Sequence, residues 1–501
     1  MSTTAAVYWI IMANYIAIDL GASNGRLVLG RLQNDKIELI ELHRFVNQPI
    51  NLMGKLHWDV LKLWQEIKTG LKQYAQTYNE PLLGISVDTW GVDFALLDKN
   101  AELLSNPFFY RDKRTLGMPK LINKIISKQE IYAITGIQYM DINSLYQVYS
   151  LVINNSPQLK IAEKLLLMPD LFIYWLSGKQ HAEYTIASTT QMLDAKTKDW
   201  AYPVLEKLGI PSQILPPIIM PARVVGNILP ELAEELGLEN KIPIIASAGH
   251  DTADAVAAIP KLGPKSIYIS SGTWSLVGIE SEQAITDSEM MKLNFTNEGG
   301  VAGTIRLLKN VAGLWLLQES RRQWQKEGKD YSWNELIELA EQAKAFKSLL
   351  DPDTKVFSKP GNQPKRIKEY CQQTKQAIPE SVGEIVRTIL ESLALRYRWV
   401  IESLENKLGR EFETIHIVGG GSQNKMLNQF TANSCNKTVI SGPIEATAFG
   451  NIILQAIATK NIKDLIEGRK IVANSVGLEI FAAQDTAKWD LAYSDFVKLL
   501  D

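Results

Sequence analysis

The chain has few of the residues that mark a disulfide scaffold, a zinc site or a membrane anchor. Only two of its 501 residues are cysteines, Cys371 and Cys435, and their spacing matches no metal or redox motif. This excludes a disulfide scaffold and favours a reducing compartment, which we expect to be the cytoplasm. Five histidines without an HExxH motif argue against a zinc site. No apolar run approaches the roughly 20 residues that a membrane span needs.

Strong charge of either sign is also missing. Lys and Arg total 53, and Asp and Glu total 55. This balance, without a basic run, argues against nucleic-acid or membrane partners. A hydrophobic content of 46% is typical of a globular protein. At roughly 150 residues per domain, the length predicts two or more domains, and we expect a monomer or a homodimer.

The first residues form a short apolar stretch, Ala5–Ala13, that no Lys or Arg precedes. It therefore lacks the charged region that opens a signal peptide. Met12 begins the sequence MANYIAIDLG and would be a natural start. We expect residues 1–11 to be a disordered or mis-called N-terminal extension.

Near the middle of the chain, Pro243–Ile259 reads as an apolar strand, a break at Gly249 and an Ala-rich helix. His250 and Asp251 stand at the turn between them. Asp is a preferred N-cap, so Asp251 can serve the helix alone. Loops on a rigid scaffold also carry catalytic groups, and other turns of this chain are suited to phosphates. A carboxylate combined with phosphate loops indicates phosphoryl transfer with Asp251 as the base.

Two strand–turn–strand units, Tyr15–Leu32 and Ser266–Glu280, share one pattern. Each is an apolar strand, a glycine turn with small or hydroxyl residues, and a second apolar strand. An internal duplication explains the match economically, although two short hairpins can also match by chance. Successive N–H groups in such turns can bind an anion. Asp19, at the end of the first strand, can hold Mg²⁺ directly or through water.

A third unit, Gly84–Asp98, places Asp88, Trp90 and Asp93 around one turn. A Trp there can stack on a sugar ring while carboxylates accept the hydroxyl hydrogens, or it can be an ordinary core residue. The polar cluster Tyr110–Arg114 that follows is either a solvated loop or part of a substrate pocket.

Two later stretches carry nucleotide-binding signals. Gly303–Trp324 predicts a long amphipathic helix after a short strand, with Asn310 and Gln318 eight residues apart on one face. Their amides can read a purine or ribose, or can simply lie at the surface. Thr414–Gln423 is a strand that ends in three glycines before a helix, a shape that favours phosphates. It matches neither the dinucleotide fingerprint nor the P-loop.

Seven motifs in order resemble the FGGY sugar kinases and cover nearly the whole chain from about Met12. They are DLGASNGR from Asp19, DTWGVDF from Asp88, YRDKRT from Tyr110, AGHDT from Ala248, SSGTWSLVG from Ser270, LKNVAGLWLLQE from Leu308 and VGGGSQN from Val418. Each motif is weak alone, but seven in this order are specific.

The resemblance implies an α/β fold of two actin-like, ribonuclease H-like domains with a central catalytic cleft. Residues 12–247 are then a sugar-binding domain and residues 248–501 a nucleotide-binding domain. The implied reaction is phosphorylation of a ketose by ATP with Mg²⁺. DTWGVDF, GTWSLVG and the LKN…Q stretch favour L-rhamnulose, phosphorylated at its 1-hydroxyl. L-fuculose or D-xylulose is the alternative substrate, and a non-enzymatic, actin-like nucleotide-binding protein is the alternative class.

The resemblance also assigns roles to individual residues. Asp251 is the expected base, with a carboxylate of ordinary pKa being sufficient, and Asp19 is the expected Mg²⁺ partner, through water. One departure is Asn24, where the family pattern leads us to expect Ser, but Asn can still donate to a phosphate. The substrate-side residues are Trp90, Gly91, Asp93 and His250, and the nucleotide-side residues are Ala22, Ser23, Asn24, Gly25, Arg26, Gly272, Thr273, Asn310, Gln318, Gly420 and Gly421.

Overall fold

The structure, a computed structural model, describes residues 12–500, so the predicted extension of residues 1–11 lies outside the described residues. The chain divides into two compact units, each assembled from three segments. The first unit is Met1–Pro260, Glu280–Leu307 and Ala446–Val476, and the second is Lys261–Ile279, Leu308–Glu445 and Gly477–Asp501. Neither unit is a single stretch of sequence, and the predicted division at residue 247 stays a prediction. Within residues 12–500, no helix combines the length and the apolar character that crossing a membrane requires.

The described residues form a mixed α/β structure. The strands are β1 Ala13–Leu20, β2 Asn24–Gln33, β3 Lys36–Val46, β4 Ile50–Leu52, β5 Lys55–His57, β6 Leu82–Thr89, β7 Phe94–Leu97, β8 Lys164–Leu167, β9 Ala182–Glu183, β10 Ile218–Ile219, β11 Arg223–Asn227, β12 Pro243–Ala246, β13 Ser266–Ser271, β14 Trp274–Ser281, β15 Thr296–Gly299, β16 Ile305–Ala312, β17 Thr414–Val418, β18 Thr438–Ser441 and β19 Glu479–Phe481. The helices are α1 Val60–Thr77, α2 Met118–Ile122, α3 Lys128–Thr135, α4 Ser144–Ile153, α5 Pro157–Ile161, α6 Met168–Ser177, α7 Tyr184–Ser188, α8 Tyr202–Lys207, α9 Pro230–Leu236, α10 Asp251–Ala257, α11 Ser288–Lys292, α12 Trp315–Lys326, α13 Trp333–Gln342, α14 Gln363–Gln373, α15 Val382–Leu408, α16 Lys425–Cys435, α17 Ala446–Ala458, α18 Leu465–Ser475 and α19 Thr486–Val497.

The main sheet of the first unit has the strand order β3-β2-β1-β6-β12-β11. Strands β1, β2 and β3 form an antiparallel meander, whereas β6 and β12 run parallel to β1. Asp19 on β1 pairs in register with Arg26 on β2 and with Asp88 on β6. Because parallel strands end at the same edge of a sheet, the carboxyl ends of β1, β6 and β12 form one face for a ligand.

The second unit repeats this arrangement. Its strand order is β16-β14-β13-β17-β18-β19, and β15 and the first three residues of β16 lie in the first unit. Strands β13 and β14 are antiparallel, β17 and β18 run parallel to β13, and β19 is antiparallel to β18, as β11 is to β12. Hairpin β1–β2 therefore corresponds to hairpin β13–β14, as the internal duplication predicts.

Helix α17 returns the chain to the first unit after most of the second unit has been formed. It packs so closely on α10 that a Cβ added at Gly450 would lie 1.8 Å from the carbonyl oxygen of Asp254. The Nε2 of Gln455 donates to the carbonyl of Ile16 on β1 at 3.0 Å. Helix α17, from late in the chain, thus completes the packing against α10 and β1 of the first unit.

The prediction of one long helix through Asn310 and Gln318 is wrong. Asn310 lies in β16, whereas Gln318 lies in α12, which begins only at Trp315. Gly313 breaks the chain between them, because a Cβ there would lie 2.6–2.8 Å from the backbone of residues 272–274. Helix α15 begins with a capping box, in which the side chains of Ser381 and Glu384 accept from each other's backbone N–H.

Candidate functional site

Asp251 is the first residue of α10, and the N-cap of that helix is His250. The alternative that Asp251 serves as the N-cap is therefore wrong. Its Oδ1 accepts hydrogen bonds from the N–H of Thr252 at 2.7 Å and from the Thr252 hydroxyl at 3.2 Å. The Asp251 side chain is 31% exposed, so a ligand can reach it.

Carboxylates gather around Asp251 and change its acidity. Burial, followed by the charge of Asp19, raises the pKa of Asp251 to about 7. Burial, followed by the same Asp19 charge, raises the pKa of Asp88 well above its usual value, and burial does the same for the pKa of Asp254. The pKa of Asp251 is thus higher than the ordinary value expected from the sequence. A base whose pKa lies near neutral pH combines ionisation with proton affinity.

Two backbone hydrogen bonds hold the three turns at this edge together. The N–H of Thr89 donates to the carbonyl of Gly249 at 2.9 Å, and the N–H of Trp90 donates to the carbonyl of Leu20 at 3.3 Å. The ends of β1, β6 and β12 are therefore fixed against one another. The first unit brings together the residues predicted around Asp19, Trp90 and Asp251.

The β1–β2 turn was predicted to bind phosphates through residues 22–26. Ser23 and Asn24 are exposed, whereas Ala22 is half-buried and packs against the hydrophobic core. Gly25 is buried, and a Cβ there would lie 2.4 Å from the ring of Phe45. Gly25 therefore has a packing reason to be glycine.

Arg26 and Asp19 form an ion pair in which Nε and Nη2 of Arg26 donate to Oδ2 of Asp19 at 3.0 and 2.8 Å. Within residues 12–500, no group of three or more His, Cys, Asp or Glu side chains is placed to hold a metal ion. Mg²⁺ usually keeps several waters and binds phosphates with one or two carboxylates. Asp19 therefore fits an indirect contact, through water, with an ion that arrives with a nucleotide.

The turn after β6 has a strained backbone. Val92 adopts a φ of +68°, which is rare for a β-branched residue. Its N–H donates to the Thr189 hydroxyl at 3.1 Å, and its carbonyl accepts from the Ser144 hydroxyl at 2.5 Å and from Gln147 at 3.2 Å. A Cβ added at Gly91 would lie 3.1 Å from the same Thr189 hydroxyl oxygen. Three side chains, Thr189 after α7 and Ser144 and Gln147 on α4, thus fix the shape of this turn.

Asp93 holds two tryptophans side by side. Its Oδ2 accepts from the indole N–H of Trp58 at 2.6 Å and of Trp90 at 3.0 Å, and the two rings lie 4.2 Å apart between centroids. Its Oδ1 accepts from Gln147 at 3.0 Å, and Gln147 in turn accepts from Arg114 at 2.6 Å. Burial raises the pKa of Asp93 to about 6. The sequence did not single out Trp58, because its role depends on its contacts with Asp93 and Trp90 in the fold and not on the residues beside it in the sequence.

Glu183, which the sequence analysis also missed, fixes the turn before Asp251. Its Oε2 accepts from the N–H of Gly249 at 2.8 Å and from the N–H and hydroxyl of Thr185 at 2.9 and 2.6 Å. The Thr185 hydroxyl oxygen accepts from the N–H of His250 at 3.2 Å. This buried carboxylate thus orients the backbone that leads into the candidate base.

The second unit carries the other predicted nucleotide residues. The Thr273 hydroxyl donates to Oε1 of Gln318 at 3.1 Å, which brings these two residues together. The N–H groups of Gly313 and Leu314 donate to the carbonyls of Thr273 and Gly272 at 3.2 and 3.0 Å. Thr273 is exposed, whereas Asn310 is half-buried in β16.

The three glycines after β17 have three different surroundings. Gly419 has a φ of +82°. A Cβ on Gly421 would lie 2.1 Å from the hydroxyl oxygen of Ser271 on β13, the neighbouring strand. Gly420 is exposed, and a Cβ there would have no atom within 4 Å. Gly420 is thus the glycine of this loop with open space for a ligand.

Two family models match the chain in sequence order. The N-terminal domain of the FGGY family of carbohydrate kinases matches residues 14–258, and the C-terminal domain of that family matches residues 267–459. The chain belongs to the FGGY family of carbohydrate kinases. This family membership implies a sugar and ATP as the substrates.

Individual relatives of this FGGY chain agree with the family. It is 44% identical over 483 residues to a rhamnulokinase of Bacteroides thetaiotaomicron, covering 96% of this chain and 98% of the relative. It is 42% identical over 469 residues to a rhamnulokinase of Oceanobacillus iheyensis, covering 93% and 98%. The crystal structure of a gluconate kinase from Lactobacillus acidophilus matches with a TM-score of 0.82 at 17% identity, covering 98% of both chains, which confirms the fold.

Proposed function

We propose that this chain is an ATP-dependent kinase that phosphorylates the 1-hydroxyl of L-rhamnulose. The chemistry is carried by one observation: the reachable carboxylate of Asp251 lies at a helix start, where burial and the charge of Asp19 raise its pKa to about 7. The substrate is supported by seven curated relatives named rhamnulokinase, which are 37–44% identical over 93–98% of this chain.

In this mechanism, the ionised carboxylate of Asp251 accepts the proton of the sugar hydroxyl. The oxygen forms a bond to the γ-phosphorus as the bond from that phosphorus to the bridging β–γ oxygen breaks, and ADP leaves with those electrons. Because the transition state of phosphoryl transfer is loose, the base mainly orients the hydroxyl and removes its proton late. The hydrogen bonds from Thr252 keep one oxygen of Asp251 fixed while the carboxylate acts.

The sugar contacts are proposed for the turns beside Asp251. They are Trp90, which is 6% exposed and packs against Trp58, the half-buried Gly91, and His250. Asp93 contributes chiefly by holding Trp90 against Trp58, since both of its oxygens already accept hydrogen bonds from side chains.

The nucleotide contacts are proposed for two sets of turns. In the first unit these are residues 22–26, of which Ser23 and Asn24 are the most exposed. In the second unit, the proposed contacts are Gly272, Thr273, Asn310, Gln318, Gly420 and Gly421. Exposed N–H groups and hydroxyls in such turns suit phosphate oxygens.

Mg²⁺ bound with ATP would offset charge on the β- and γ-phosphate oxygens. Asp19 is the residue that would orient its water shell. Its pairing with Arg26 fixes that carboxylate in place before any ion arrives.

A coupled ADP-release assay tests the proposal with Mg-ATP and a panel of L-rhamnulose, L-fuculose, D-xylulose, L-ribulose and glycerol. We expect one strong response, to L-rhamnulose. A strong response to another ketose would assign that sugar as the substrate. No response to any sugar, with ATP still bound, would refute the proposed kinase activity. Asp251→Asn should lose several orders of magnitude in turnover. The matched control is Asp254→Asn, on the same helix, which should stay within about tenfold of the wild type because Asn keeps an oxygen for the N–H of Ala248 and a polar group beside the Ser247 hydroxyl.

A further inference from the structure

Arg306 is a fully buried arginine next to the candidate base, and no motif of the sequence identified it. It lies on β16 with 0% of its surface exposed. Its Nε donates to the carbonyl of Gly299 at 2.8 Å, and its Nη2 lies 2.9 Å from Nδ1 of His250. Its counter-charge is Glu298, whose Oε2 is 3.2 Å from Nη2.

The contact between Arg306 and His250 fixes which ring nitrogen carries a proton. A guanidinium has five N–H donors and no acceptor. The ring nitrogen that faces it at hydrogen-bond distance must therefore be the acceptor, so Nδ1 of His250 carries a lone pair. A neutral imidazole with a bare Nδ1 carries its proton on Nε2.

The proton on Nε2 lies on the reactive side of the ring. Nε2 is 3.4 Å from Oδ1 of Asp251. The charged groups that face the ring are Arg306, Glu298 and Asp251. Burial, followed by the charge of Arg306, lowers the pKa of His250 well below its usual value. The imidazole therefore stays neutral at the pH at which Asp251 is ionised.

We propose that Arg306 is a positioning residue that holds His250 in the neutral Nε2–H tautomer, so that His250 presents one hydrogen-bond donor beside Asp251. This inference deepens the proposed function and rests on it in one respect: the group that receives the donor is an oxygen of the sugar. A bare Nε2 would instead accept a hydrogen bond and compete with Asp251 for the hydroxyl proton.

Glu298 provides the competing arrangement against which the proposal can be tested. Its Oε2 lies 3.5 Å from Nδ1 of His250, farther than Arg306 does. Without the guanidinium, a carboxylate at this place would draw a proton onto Nδ1. Removing Arg306 should therefore change the tautomer, and removing Glu298 as well should reverse part of that change.

The first experiment measures the tautomer directly by ¹⁵N NMR on the ¹⁵N-histidine-labelled full chain, with His250→Gln to assign the signals. We expect a pyridine-type Nδ1 and a protonated Nε2 in the wild type at pH 7.5. In Arg306→Met we expect the Nδ1 signal to move to the protonated range, and Arg306→Met/Glu298→Gln should move it part of the way back. A wild-type spectrum with the proton on Nδ1 overturns the proposal, whatever the variants do.

The second experiment separates positioning from mere packing by a double-mutant cycle on the ketose KM. Arg306→Met should raise KM roughly tenfold, the scale of one lost charge-assisted hydrogen bond. In the His250→Gln background the same substitution should change KM less than about twofold, because residues that act through one group are not additive. Equal effects in both backgrounds would make Arg306 a packing residue and overturn the proposal.

The conservative variant Arg306→Lys keeps a charge and a donor, and it should retain more of the wild-type tautomer and KM than Arg306→Met. It also serves if Arg306→Met fails to fold. If the chain phosphorylates none of the ketoses, the proposed function is refuted. The NMR result would still decide the tautomer of His250.

Discussion

The raised pKa of Asp251 gives a prediction for the pH dependence of catalysis. Only the ionised carboxylate can accept the hydroxyl proton, so kcat/KM should rise with pH and level off above the pKa of the free enzyme. With a pKa of about 7, the ionised fraction is roughly one tenth at pH 6 and nine tenths at pH 8. We therefore expect about a tenfold rise in kcat/KM between these pH values. A carboxylate of ordinary pKa would give a flat profile over this range.

The assay is ADP release from Mg-ATP with subsaturating ketose, in overlapping buffers of constant ionic strength from pH 5.5 to 9. A viscosity series shows whether a binding or release step limits the rate, because such a step would mask the ionisation. Thr252→Val tests the assignment. It removes a hydroxyl that lowers the pKa of Asp251, so the acidic limb should move to higher pH.

Two results would refute this reasoning. A profile that is flat between pH 6 and 8, at any viscosity, would mean that Asp251 is ionised throughout or is not the base. A Thr252→Val limb that stays in place or moves to lower pH would assign the ionisation to another group.

Three further predictions concern stability and close packing. Folding raises the pKa of Asp251, so the folded protein loses stability as the pH rises from about 4 to 7 and this carboxyl loses its proton. Asp251→Asn should therefore raise the melting temperature more at pH 8 than at pH 5.5. An equal change at both pH values would contradict this. Gly421→Ala should cost about 1–3 kcal/mol of folding free energy, because the added Cβ overpacks the loop. Gly420→Ala should leave the melting temperature unchanged and raise the KM for ATP. An unchanged KM would mean that Gly420 does not contact the nucleotide. Gly450→Ala should lower the melting temperature at least as much as Gly421→Ala, because its Cβ would lie 1.8 Å from a backbone oxygen, whereas the nearest backbone atom to a Cβ at Gly421 is 2.9 Å away. An unchanged melting temperature would contradict that packing.

The sequence predicted those parts of the fold that depend on neighbours along the chain. The glycine turns of β1–β2 and β13–β14 and the strand-to-helix turn before α10 were all located correctly, because apolar runs and glycines mark them locally. The helix through Asn310 was wrong, because the break at Gly313 is imposed by the backbone of residues 272–274 across the fold. The helical spacing of residues in a sequence cannot reveal such a contact.

The partners of the candidate site were out of reach of sequence reasoning for the same reason. Arg306 meets His250 across 56 residues, and Asn451 donates to Asp88 at 2.7 Å across 363 residues. Trp58 and Glu183 are likewise defined by what they hold in the fold, while their sequence neighbours are ordinary. The motifs located the turns, and only the packing shows what keeps each turn in shape.

The late return of α17 to the first unit has a consequence for how this protein is made. On the ribosome, β1, β2 and β6 emerge early, yet Ile452, which packs on Gly30 of β2, emerges only near the end. At translation rates of about 5–20 residues per second, the nascent first unit would wait on the order of tens of seconds for that helix. During this interval the apolar surface of the first unit that α17 covers is exposed to solvent. Synthesis of this kinase should therefore depend on chaperones, and a chain that stops before residue 446 should aggregate.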